Sequence, residues 1–152
     1  MSDYSSQVPL FGATITRANT QALGAAGVLT KISWDTIAAN AVGFAVSGGD
    51  ALLLRNGSVA GHLYFTISTG ALLTGVRVVI TYDPGGPNES VLADLERSAR
   101  TVGNSSDTIP FAAPFAAAGK VIRTELATLG LGSLGLDATP AKTKLSVLWL
   151  GA

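Results

Sequence analysis

Gly61-His-Leu-Tyr-Phe-Thr-Ile-Ser68 alternates in a strict period of two, with Leu63, Phe65 and Ile67 on one parity and His62, Tyr64, Thr66 and Ser68 on the other. Side chains on a strand point to opposite faces in turn, so this stretch reads as a half-buried β-strand with one apolar face. Just upstream, Asn56-Gly57 is a turn dipeptide that closes the apolar run Ala51-Leu-Leu-Leu54. Downstream, Val76-Arg-Val-Val-Ile-Thr-Tyr82 is β-branched and aromatic, as strands prefer, and it stops at the turn Asp83-Pro-Gly-Gly86.

The same signature repeats toward both ends. Phe11-Gly-Ala-Thr-Ile-Thr-Arg17 and Val28-Leu-Thr-Lys-Ile-Ser-Trp34 precede it, the second with Val28, Ile32 and Trp34 on one parity. Ser47-Gly-Gly-Asp50 is a tight turn, and Lys120-Val-Ile-Arg-Thr-Glu-Leu126 and Lys144-Leu-Ser-Val-Leu-Trp-Leu150 are further strands. Residues 103–107 and 130–140 read as loops, and Pro110 and Pro114 make 109–118 edge-like or irregular. The segment 90–102 fits two periods. Val91, Leu92, Leu95 and Ala99 make a helical stripe that Asn88 could cap; Val91, Ala93 and Leu95 make a strand face. Taken alone, these residues lean to the helix.

Short strands at even spacing predict an all-β sandwich or barrel. Its core would hold Ile15, Trp34, Leu63, Phe65, Ile67, Val78 and Ile80. The last strand is apolar on both parities, Val147 and Trp149 on one and Leu148 and Leu150 on the other. One face enters the core and the other needs a partner.

Composition points the same way. Charged residues are 13% of the 152, Lys+Arg and Asp+Glu are 10 each, hydrophobic residues reach 47%, and the mean hydropathy is +0.41. Zero net charge with little charge of either sign favours association. It disfavours nucleic acid, whose phosphates need clustered cations. No run approaches the ~18 apolar residues of a membrane helix, and Met1-Ser-Asp-Tyr-Ser-Ser6 lacks a secretory signal. The expectation is cytoplasmic synthesis with no membrane partner.

Catalytic chemistry has little to work with. There is no Cys and a single His, His62, on the polar parity of its strand. That excludes thiolate chemistry and any two-His metal site, and no GxSxG elbow accompanies it. Gly130-Leu-Gly-Ser-Leu-Gly135 spells GxGxxG, but a strand rather than a helix follows and the acidic residue of a dinucleotide site is missing. Asp50, Asp83 and Asp107 sit in turns, where Asp bonds nearby amides; calcium is the less favoured reading. Asn56, Asn88 and Asn104 open glycosylation triplets that read more simply as polar loops. Trp34, Tyr64, Tyr82 and Trp149 could form a sugar platform, although aromatics on strands are more often core. The expectation is a non-enzyme with no cofactor and no metal.

Four stretches resemble the C1q/TNF-like jelly-roll superfamily in its divergent microbial and viral forms. Phe11-Gly-Ala-Thr-Ile-Thr16 is similar to the family's first strand, and Lys144-Leu-Ser-Val-Leu-Trp-Leu-Gly-Ala152 to its closing strand. Asn56-Gly-Ser-Val-Ala-Gly-His-Leu-Tyr-Phe65 resembles the central Gly-x-Tyr-x-Phe entry: Gly61 and Phe65 match, while Leu63 replaces the Tyr, which comes one place later as Tyr64. Ala117-Ala-Gly-Lys-Val121 is similar to the turn before the penultimate long strand, with Lys120 where Asp is common. The resemblance covers residues 8–152. It implies an antiparallel jelly-roll β-sandwich, a strand over 90–102, and a homotrimer that binds rather than catalyses.

These readings join into one set of expectations. Residues 11–152 form the jelly-roll domain and 1–10 an N-terminal arm. Tyr64, Leu148 and Leu150 are candidates for the trimer interface; Tyr4, Val8, Pro9 and Leu10 are the arm's anchors to a larger particle. A charge-poor, free-standing jelly roll resembles a phage capsid decoration (cement) or head-fibre protein at the virion surface, whose partners are its own copies and the major capsid protein or another virion protein. The alternative is a carbohydrate- or receptor-binding tip domain that contacts a host surface.

Overall fold

The computed structural model describes residues 12–19, 21–23, 25, 27–38, 41–69, 73–98, 103–130, 134–136 and 142–151. The arm anchors Tyr4, Val8, Pro9 and Leu10 lie outside this set. Thirteen strands follow in chain order: β1 (Gly12–Thr16), β2 (Gln21–Ala22), β3 (Thr30–Lys31), β4 (Thr36–Ile37), β5 (Phe44–Ser47), β6 (Asp50–Leu53), β7 (Gly57–Thr69), β8 (Leu73–Tyr82), β9 (Ser90–Ser98), β10 (Gly103–Ala116), β11 (Val121–Gly130), β12 (Leu134–Leu136) and β13 (Lys144–Gly151). Every pairing is antiparallel.

They form two sheets. Sheet I is organised by β7, which contains the Gly61–Ser68 stretch. One side of β7 pairs with β10 along most of its length; the other pairs first with β13 and then with β12. β1 and β4 extend the sheet beyond β13, and β2 extends it beyond β12. Sheet II has the order β5-β6-β11-β8-β9, with β3 also on β11. The apolar parity of each strand turns inward. Ile15, Trp34, Leu63, Phe65, Ile67, Val78 and Ile80 are all at most 2% exposed, as their periodicity predicts.

Both tryptophans are anchored in the core by their ring N–H. Trp34 Nε1 donates to Thr124 Oγ1 at 2.9 Å. Trp149 of sheet I stacks on Phe44 of sheet II, ring centroids 5.2 Å apart, and donates to the Gly43 carbonyl at 3.1 Å. Gly61 owes its identity to close approach. A Cβ there would stand 2.3 Å from the Ser146 carbonyl oxygen and 2.8 Å from Phe111 Cζ. Phe111 is its register partner on β10 and covers the gap a side chain would fill.

Several local expectations are corrected. The local lean to a helix over 90–102 gives way over 90–98, which form β9 with Leu95 opposite Val78 and Ala93 opposite Ile80; 99–102 lie outside the described residues. The partner strand of β9 supplies backbone bonds that no local stripe can reveal. Residues 103–107 are not a loop but the start of β10, paired with 65–69 of β7. Ser106 lies on the outward parity, where its Oγ bonds Thr66 Oγ1 at 2.7 Å, while Ser105 and Asp107 share the parity of Ile109. Within 130–140, Leu134–Leu136 is a strand rather than loop, so the end of the GxGxxG run opens no helix. Of the run ending at Trp34, only Thr30–Lys31 joins a ladder, and Val28 is 56% exposed while Ile32 and Trp34 are buried.

Candidate functional site: an uncharged sheet face

Period two gives each sheet an outer face, and the register says which residues share it. On sheet I the rows run across β1, β13, β7 and β10. Gly12, Leu148, Ala60 and Ala112 form one row; Thr14, Ser146, His62 and Pro110 form the next; Lys144, Tyr64 and Thr108 follow. Thr66 and Ser106 continue the face, and Leu150 stands on β13 where its register with β7 shifts. Among the described residues on these four strands, Lys144 is the one fixed charge on this face.

Tyr64 and Leu148, named from sequence, therefore share this face two rows apart, and Leu150 follows at the shift in the β13 register. Tyr64 and Leu148 are half-buried and Leu150 is 61% exposed. His62 lies among them, exposed and flanked by Pro110 and Ser146.

Sheet II is built differently. Its outer face carries Arg77, Asp94, Glu96, Arg123, Glu125, Lys31 and Asp50, placed by the register of β8, β9, β11, β3 and β6. Much of this charge is paired. Asp50, 6% exposed at its side chain, takes Arg123 Nη2 at 3.0 Å and Lys31 Nζ at 3.2 Å. The hydrogen bond from Arg123, against some desolvation, raises that guanidinium further above its ordinary range. Arg77 and Asp94 form a bidentate pair at 2.9 and 2.8 Å, and that hydrogen bonding holds Asp94 below the usual aspartate value. Val79 is 6% exposed although it faces outward, between Asp94 and Glu125 in the register. The long charged side chains of this face shelter such a residue with their stems.

The turn aspartates are occupied by the protein itself. Asp50 holds its two cations, Asp83 receives the Asn88 amide at 3.1 Å and lies 3.6 Å from Lys120 Nζ, and Asp107 pairs with Arg97 at 3.1 Å. They sit apart, and among the described residues no group of three or more His, Asp or Glu could hold a metal. Trp34, Tyr82 and Trp149 are at most 6% exposed, so three of the four aromatics considered for a sugar platform are core. β10 is the outer strand of sheet I beside β7, and Pro110 and Pro114 remove amide donors along it, which blunts edge-to-edge pairing.

One exposed aromatic escapes the periodicity altogether. Counted from Phe111 and Ala113, Phe115 belongs to the inward parity. The register between β10 and β7 shifts between Ala113 and Ala116, so Ala116 is buried at 4% and Phe115 is 91% exposed. Proline at 114 was the available sign of such a bulge.

Neither any protein-family model nor any curated protein sequence matches the chain. Solved structures do. Murine APRIL at pH 5.0 is similar over 93% of this chain and 100% of that one, with a TM-score of 0.73 at 13% identity. Murine APRIL at pH 8.0 gives 0.68 at 15% over the same shares. Eiger TNF from S. frugiperda gives 0.61 at 13%, covering 95% of this chain and 94% of that one. At such identity the likeness carries architecture alone, and with the strand order above it establishes that this chain folds as a TNF-like antiparallel jelly roll.

Proposed function

We propose that the protein is a non-enzymatic structural module of a virus particle, a capsid decoration or head-fibre protein that trimerises through the outer face of sheet I and binds the shell. The observation that carries the reading is the contrast between the two outer faces. Charge is depleted at the centre of protein interfaces and retained on solvated surface. Sheet I is depleted around Leu148, Ala60 and Ala112; sheet II is not. Closed cyclic assembly buries such a face without propagating it. A homotrimer is what the C1q/TNF-like resemblance implies, and the scarcity of charge in the chain agrees with burial between copies.

β1, which follows the segment 1–10 in the chain, begins at Gly12 opposite Leu148. Tyr4, Val8, Pro9 and Leu10 are its proposed anchors to the shell; Pro9 keeps Val8 extended, and three copies would bind with avidity. Co-sedimentation with purified capsids tests the reading. The full chain should pellet with them as a trimer, and a chain lacking residues 2–7 should stay trimeric in the supernatant. A monomer that ignores capsids would overturn it.

A further inference from the structure

Phe115 stands on the β10 bulge in nearly full contact with water, and the fold invests in holding it there. Three side chains, Asn56 and Ser58 around the start of β7 and Tyr82 at the end of β8, pin the backbone on both sides of it. Ser58 Oγ donates to the Pro114 carbonyl at 2.8 Å; Tyr82 Oη accepts from the Ala117 amide at 3.0 Å; Asn56 Oδ1 accepts from the Ala118 amide at 2.9 Å. A bulge re-aims a side chain, and bulges gather beside binding sites. The ring is thus placed before any ligand arrives.

A shallow cleft opens on each side of the ring. One, of about 450 Å³, is lined by Tyr82, Leu92, Asn88, Glu89 and Ser90. The other, of about 590 Å³, is lined by Asn56, Gly57, Ser58 and Leu150. Both lie within the roughly 300–1,000 Å³ of small-ligand sites.

The lining selects among ligands. No Lys or Arg lines either cleft, and Glu89 is the one charged residue, so an anion or a nucleic acid finds no counter-charge. The run Ala113 to Ala117 contributes apolar lining to both clefts, and the amides and hydroxyls of Asn56, Ser58, Asn88 and Ser90 stand beside it. Asn56 keeps its Nδ2 donors, because its bond to Ala118 uses only Oδ1. The Asn88 side-chain amide has no protein partner among the described residues; only its backbone is engaged. An aromatic face is electron-rich, and it attracts the polarised C–H groups on the flat side of a pyranose. Amides and a carboxylate at the rim suit that ring's hydroxyls.

We propose that Phe115 is the stacking platform of a site for a neutral saccharide, with Asn88 and Glu89 hydrogen-bonding the sugar on one side and Asn56 on the other. The proposal stands whether or not the chain sits on a particle. A single site of this kind is weak, and repeated copies on an assembly would raise its avidity.

The test is an amide chemical-shift titration of the full chain with glucose, galactose, mannose, N-acetylglucosamine, lactose, cellobiose and maltose, each to about 20 mM, enough to reveal a millimolar Kd. At least one probe should move amides at 56–58, 88–90, 113 and 115–118. Phe115→Ala should fold with an unchanged melting temperature and weaken that probe by about tenfold or more; Phe115→Trp should keep the binding. If no probe moves these amides, or if Phe115→Ala binds as well as the original chain, the site is not a saccharide site.

Discussion

The two outer faces of this sandwich come from the same alternation and are finished in opposite ways. On sheet II, charged side chains stand in register rows and pair with each other: Arg77 with Asp94, and Asp50 with Lys31 and Arg123. On sheet I the corresponding rows are Gly, Ala, Thr, Ser, Pro and Leu, with His62 and Tyr64 at the centre and Lys144 at one side. With charged residues at 13% of the chain, the charge is distributed rather than merely scarce. Sheet II is finished for water. Sheet I has the face that, in the proposed function, another copy covers.

The contrast can be broken most severely on sheet I. Leu148→Asp places a charge in the middle of the uncharged rows. Self-association should weaken by roughly 30- to 5,000-fold, the equivalent of ~2–5 kcal/mol for an unpaired interfacial charge. The melting temperature of the separated chain should barely move, because Leu148 faces away from the core. Sedimentation across a dilution series measures the first and calorimetry the second.

Sheet II should answer in stability instead. Asp50→Asn leaves Lys31 and Arg123 together without their carboxylate. Both cations are about one-third exposed at their side chains, at 29% and 34%, so the loss is moderated by solvent. About 1–2 kcal/mol, or roughly 2–8 °C in Tm, is expected with the oligomeric state intact. Glu125→Gln on the same face should change stability by less than about 0.5 kcal/mol and sedimentation not at all.

The smallest effect is a pH dependence. Arg77 holds Asp94 below the ordinary aspartate pKa. A depressed folded-state pKa stabilises above the unfolded value, and that stabilisation is lost as pH falls through the lowered one. The pair is exposed, so only a slight acid-side slope is expected. Urea midpoints measured down to about pH 2 should show this slope in the original chain and a shallower one in Asp94→Asn.

How much of this was legible in the sequence depends on what each residue answers to. Leu63, Phe65 and Ile67 answer to a period of two over one strand, and the core follows from that period. The all-β reading, the turn at 83–86 and the closing strand rest on similarly local patterns. β9 answers to β8, from which it takes its backbone bonds, so 90–98 could be read locally as helix. Residues 103–107 looked like a loop because Asn, Ser and Asp favour turns, yet β7 holds them as strand. Leu148 and Leu150 could be picked as a second apolar face, but which face was outward waited on the register with β7 and β1. The charged finish of sheet II was hidden because its members come from five strands scattered between Lys31 and Glu125. Phe115 was the hardest to see. A single extra residue in β10 reverses its direction, and periodicity counted through a bulge fails at that point.

Sedimentation velocity of the purified full chain at micromolar concentration tests most directly whether the uncharged face of sheet I is covered by other copies. A single boundary at three times the 15.4 kDa chain mass, lost in Leu148→Asp and retained in Glu125→Gln, is the predicted result. A well-folded species at 15.4 kDa in the original chain would contradict the account.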